Sequence, residues 1–137
     1  MKLSVVNTIA GMLSGMKINR ISDKDVKATL VNDYLHLRKF AKEADEERNE
    51  LVEKFQKDWA DVMPIIGAMR EKNELVIGHD DYLEAEKDAN KAIGEIFARD
   101  VDAKPKAVPV DAFVAAFGEE ELTLEQIAFL QENGLIE

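Results

Sequence analysis

The chain has 137 residues, 46% hydrophobic and 34% charged, with a formal net charge of −10, three prolines, seven glycines and no cysteine. That length fits one domain, 1–137, able to bury a core, and the scarcity of proline and glycine excludes a loop-rich or disordered protein. The missing cysteine excludes disulfides and zinc–thiolate sites, while the acidic balance disfavours binding to a phosphate backbone.

Residues 1–16 place Leu3, Val6, Ile9, Ala10, Leu13 and Met16 at spacings of three and four, which is helical. A short strand over Met1–Val6, with Asn7 or Thr8 capping a helix, is the alternative. The apolar run is broken by Ser4, Asn7 and Thr8, so it does not build the hydrophobic centre of a secretion signal. No stretch reaches the ~20 apolar residues of a membrane span. A cytoplasmic protein is expected, with no membrane partner. Lys17–Ile21 alternates and reads as a short extended connection.

The strongest signal follows. Ser22-Asp23-Lys24-Asp25 is a capping sequence in which the Ser22 hydroxyl meets the Asp25 amide. Apolar residues then recur at Val26, Leu30, Tyr34, Leu37, Phe40/Ala41, Ala44, Leu51, Phe55, Trp59 and Val62, which predicts one helix to about Met63. Such a helix is ~60 Å long at 1.5 Å per residue, too long for the rest of the chain to cover. The stripe is wide to Ala41, nearly vanishes over Asp45–Glu50, and returns narrow from Leu51. Neither glycine nor proline interrupts the middle, which favours continuity over two helices.

Pro64 ends or kinks this helix, with 65–70 as its extension past a kink in one reading. Asp80 or Asp81 caps the next helix, with Leu83, Ala89, Ile93, Ile96 and Phe97 facing the core. Pro105 and Pro109 make 101–110 an extended, edge-like segment. Asp111 caps a short helix through Phe117 to Gly118. Thr123-Leu124-Glu125-Gln126 is a second capping box; Leu124, Ile127, Ala128 and Leu130 line the closing helix, and Gly134 ends it. The fold class is therefore mainly α, α+β at most: one long helix packed by two to four shorter ones.

Two places invite metal chemistry. His79-Asp80-Asp81 offers an imidazole and two carboxylates in a row, but aspartate at a helix start is a cap by preference. Asp33 and His36 share a helical face, yet a di-metal bundle needs Glu-x-x-His twice with further carboxylates, and here the pattern occurs once. No phosphate loop or nucleophile elbow is present. No metal, cofactor or small-molecule ligand is expected. The alternative to a non-enzymatic protein is a small metal-dependent enzyme using His36, His79 and nearby carboxylates.

Charge is uneven: residues 1–42 carry eight bases and three acids, residues 43–137 ten bases and 25 acids. Glu43, Glu46, Glu47, Glu50 and Glu53 share one side of the long helix. They form either a solvated face or a docking strip for a basic surface, such as residues 1–42 of another copy. A third reading is an acidic regulator or inhibitor that mimics nucleic acid. Large aromatics anchor interfaces, so the expected association surface is Leu51, Phe55, Trp59 and Val62, with Glu43, Glu47 and Glu50 beside them.

The order of elements also resembles that of small uncharacterised phage and prophage proteins. The likeness is carried by Met1-Lys2-Leu3-Ser4-Val5-Val6-Asn7, Ile21-Ser22-Asp23-Lys24 and Glu46-Glu47-Arg48-Asn49-Glu50-Leu51. It continues through Asp100-Val101-Asp102, Val108-Pro109-Val110-Asp111-Ala112-Phe113 and the run from Leu122 to Leu130. Such proteins are encoded near tail or head morphogenesis genes. The resemblance implies a structural or accessory assembly role, self-associating or bound to a protein partner, and supplies no catalytic residues.

Overall fold

The computed structural model describes residues 1–117 and 122–137. It is mainly helical, with a long helix packed by shorter ones: α1 Leu3–Ser14, α2 Lys24–Asp58, α3 Met63–Glu71, α4 Asp80–Phe97, α5 Val110–Phe117 and α6 Leu124–Glu132. No described helix is long and apolar enough to cross a membrane. Two compact units form, one from Met1–Glu43 with Arg99–Glu137, the other from Ala44–Ala98. Helix α2 contributes residues to both.

In the first unit, Val6, Ile9 and Leu13 of α1 meet Leu30, Leu37 and Ala41 of α2, Phe113, Ala116 and Phe117 of α5, and Leu130 of α6. Phe113 and Phe117 lie one turn apart with ring centroids 5.1 Å from each other. The predicted extended connection over 17–21 is instead a 3-10 turn at Ile18–Arg20. Its Arg20 donates to the Phe117 carbonyl at 3.1 Å, placing a cation at the negative end of α5.

The cap of α2 is Asp23, one residue later than Ser22. Its carboxylate accepts the amides of Asp25 at 2.8 Å and Val26 at 3.2 Å, and a negative charge suits a helix N-terminus. Continuity through Asp45–Glu50 holds, and Arg48 pairs with Asp45 across one turn at 3.4 Å. The helix stops at Asp58 rather than Met63, in a turn over 59–62. Pro64 then lies in the first turn of α3, where its missing N–H costs nothing. Residues 65–70 are helical, as the kinked reading has it, but in a separate helix that follows a turn and that the proline helps begin.

Helix α6 opens with the expected box: Thr123 Oγ1 accepts the Gln126 amide at 3.1 Å and Gln126 Oε1 accepts the Thr123 amide at 2.9 Å. It closes on Gly134 at φ 79°. The Leu135 amide reaches the Leu130 carbonyl and the Gly134 amide the Gln131 carbonyl, with Leu130 and Leu135 both fully buried. That is a Schellman closure with its hydrophobic contact. Leu124, expected to line this helix, is 83% exposed. Asp111 stands inside the first turn of α5, which starts at Val110; the predicted end at Gly118 lies outside the described residues.

Residues 99–108 form a strap with neither helix nor continuous strand, bridged near both ends. Antiparallel pairing of Lys2 with Asp100 holds one end, and parallel pairing of Val108 with Ile136 holds the other.

In the second unit, α3, α4 and the later part of α2 bury Ala44, Ile66, Tyr82 and Ile96, while Leu83, Ala89, Ile93 and Phe97 are half-buried. Neither Asp80 nor Asp81 caps α4. Both lie inside its first turn, behind His79, which makes no side-chain cap; their charges suit the helix end without a bond.

Candidate functional site

The expected association residues fall on the second unit, except Glu43. Leu51, Phe55, Trp59 and Val62 are half-buried, as is Glu47, whereas Glu43 and Glu50 are exposed. Two of them meet Tyr82, which is absent from the sequence-based core. The Phe55 ring lies 5.4 Å from it and Trp59 stands edge-on at 5.6 Å. Aromatic pairs at such distances are favourable beyond their buried area. Part of the aromatic face of α2 is thus turned onto this chain's own α4.

Beside Tyr82 runs a groove of about 370 Å³, lined by Leu51, Phe55, Met63, Ile66 and Ile93 among others. Its polar element is a bidentate pair: Arg70 donates to both Glu86 oxygens, at 2.9 and 2.7 Å, and the Tyr82 hydroxyl donates to Glu86 at 3.2 Å. The Arg70 hydrogen bond holds the Glu86 carboxyl below its ordinary pKa. Desolvation, then the Glu86 charge, pushes the Tyr82 phenol up. A guanidinium and a carboxylate so engaged neutralise each other, leaving a mainly apolar groove.

A second cleft, of about 390 Å³, has Trp59, Tyr82, His79, Asp80 and Asp81 on its walls. The sequence cluster therefore does share one surface. Among the described residues, no three of His, Asp or Glu are grouped as a metal would need.

Asp33 and His36 work elsewhere, against the strap of the first unit. Asp33 Oδ1 accepts the Lys106 amide at 2.9 Å and His36 Nε2 accepts the Lys104 amide at 3.2 Å. The geometry is periodic on both sides. Positions three apart on a helix share a face, alternate amides of an extended chain point the same way, and Pro105 between them has no N–H to satisfy. The edge of the His36 ring relation is completed by Phe40, perpendicular at 5.3 Å. Asp33 is only 4% exposed, in line with the buried Leu30, Leu37 and Ala41, and its Oδ2 has no hydrogen-bond partner. Burial raises its pKa, outweighing the Lys106 amide and the nearby His36 and Lys106. The pair that sequence reading weighed as metal ligands is a clasp on backbone amides.

Several large apolar side chains are left to solvent: Leu75 is 84% exposed, Ile77 73%, Leu35 54%, Ile65 47% and Ile18 42%. Leu35 belongs to the wide part of the apolar stripe of α2, Ile18 to the connection over 17–21 and Ile65 to the helix that follows Pro64. Comparison with protein-family models, curated proteins and solved structures finds no match to this chain.

Proposed function

We propose that the chain is a non-enzymatic interaction protein, a structural or accessory part of a phage or prophage assembly, that associates with itself or with a protein partner. The observation carrying this reading is the exposure of Leu75, Ile77, Leu35, Ile65 and Ile18 on a chain of this size. Single exposed apolar residues are ordinary, but grouped ones mark interaction surfaces. The pairing of Leu75 with Ile77 and of Ile18 with Leu35 is grouping of that kind. The pattern-level likeness to phage proteins supplies the assembly context.

Light scattering on the purified chain tests the reading. A molar mass that climbs above 15.4 kDa with concentration supports self-association. A constant single-chain mass leaves only a foreign protein partner, and metal-dependent hydrolysis by the purified chain would contradict the non-enzymatic reading.

A further inference from the structure

The first unit carries a groove of about 260 Å³ between α1 with its following 3-10 turn and α2, lined by Leu13, Met16, Ile18, Leu30, Tyr34 and Leu35. Its rim is basic. At helical spacing Lys24, Lys27, Val31, Leu35, Arg38 and Lys42 follow one another along a single side of α2, and Lys17 is exposed between two lining residues. Among the described residues, Lys17, Lys24, Lys27, Arg38 and Lys42 make no ion pair. The buried Asp33 is engaged by the strap, so it does not neutralise them.

The second unit carries the opposite feature. Glu74–Ile77 is neither helix nor strand and lies between two left-handed corners, Asn73 at φ 55° and Gly78 at φ 83°. Leu75 and Ile77 are exposed on either side of the half-buried Val76. Leu75 and Ile77, 84% and 73% exposed, form two aliphatic prongs. Exposed Glu71, Glu74, Asp80 and Asp81 flank them in sequence, with Lys72 as the nearby base.

We propose that the acidic, two-pronged tip Glu74–Ile77 of one copy seats in the basic-rimmed apolar groove at Leu35 of a second copy. The proposal rests on the self-association reading and names its surfaces. Charge complementarity argues for this occupant: the prongs supply aliphatic groups to an apolar floor, and their acidic flanks meet unpaired bases. A contact between two different patches is heterologous, so every added copy presents a free groove and a free tip, giving a ring or an open row. Two prongs in a small groove bury well under the ~1,600 Å² of a standard stable interface. The contact is therefore weak, reversible and salt-sensitive, as a step in a repeating assembly would be.

Mixing two surface variants tests it. L75S/I77S removes the prongs and keeps the groove; L35D/R38E spoils the groove and keeps the prongs. Both alter exposed positions, and circular dichroism with thermal melting verifies folding; K27E/R38E is a milder groove variant should the first melt early. Sedimentation velocity at low salt is expected to show association for the natural chain, monomer for each variant alone, and a two-chain complex, no larger, for their equimolar mixture. A natural chain that associates while the variants still do, or while the mixture stays monomeric, overturns this contact and leaves self-association standing. A strictly monomeric natural chain overturns both. Binding to anionic phosphatidylglycerol vesicles that the groove variant loses and the tip variant keeps, without chain–chain association, assigns the groove to a lipid surface and also overturns it.

Discussion

Asp33 and Lys106, 73 positions apart in sequence, meet in a 2.9 Å hydrogen bond that ties the strap to helix α2. A buried carboxylate inside an apolar stripe is costly unless a donor answers it. Asp33→Ala leaves the Lys106 amide unanswered and is expected to cost about 1–3 kcal/mol. Asp33→Asn keeps an acceptor and costs less. Urea midpoints at neutral pH check the order, and equal losses would remove the clasp from the account.

Acid acts oppositely on the two units. The Asp33 pKa is raised by burial, so the folded chain binds that proton more readily than the unfolded one. Its ionisation costs stability at neutral pH, and the cost is relieved as pH falls through the folded pKa toward the ordinary 3.8. Glu86, lowered mainly by Arg70, contributes stability that is whole above the ordinary 4.5 and is lost as pH falls from there through its folded value. On acidification the natural chain should gain relative to D33N and lose relative to E86Q. Unfolding curves at a series of pH values read both differences; slopes of the same sign would contradict the assignments.

Tyr82 holds the aromatic side of the second unit. Tyr82→Ala removes a buried ring that meets Phe55 and Trp59 and is expected to cost about 3–5 kcal/mol. Tyr82→Phe loses the hydroxyl's bond to Glu86 and costs about 0.5–1.5 kcal/mol. Trp59 emission should shift to longer wavelength in the alanine variant, because the indole loses its edge contact. An unshifted spectrum would mean that Tyr82 does not shape its surroundings.

Two glycines should respond with opposite sign. A Cβ on Gly94, within α4, or on Gly134 meets nothing within 4 Å. Gly94 is in a helix, so Gly94→Ala is expected to stabilise by about 0.5–1 kcal/mol. Gly134 has φ 79°, where an L-residue is strained, and Gly134→Ala is expected to destabilise by about 1–2 kcal/mol. Thermal melts of the two variants give the signs directly.

Local signals were legible in the sequence, and distant ones were not. The Thr123–Gln126 box and the unbroken run of α2 through Asp45–Glu50 depend on neighbours within a turn or two, so spacing alone reveals them. Pro64 was ambiguous because a proline suits the first turn of a helix as well as it ends one. Asp23 displaced Ser22 as cap because both are good caps and adjacent. Asp33 and His36 looked like ligands because the Lys106 and Lys104 amides that occupy them belong to a remote extended segment. Tyr82 was missed because its partners Phe55 and Trp59 come from another helix and the turn that follows it. Leu75 and Ile77 were passed over since alternation across so short a span does not distinguish a prong from a loop.

Self-association is the central claim, and sedimentation equilibrium of the natural chain over a wide concentration range, at low and high salt, tests it most directly. The account predicts a weight-average mass that rises above a single 15.4 kDa chain with concentration and falls back as salt is added. A mass fixed at one chain under every condition would contradict self-association and leave only a foreign protein partner.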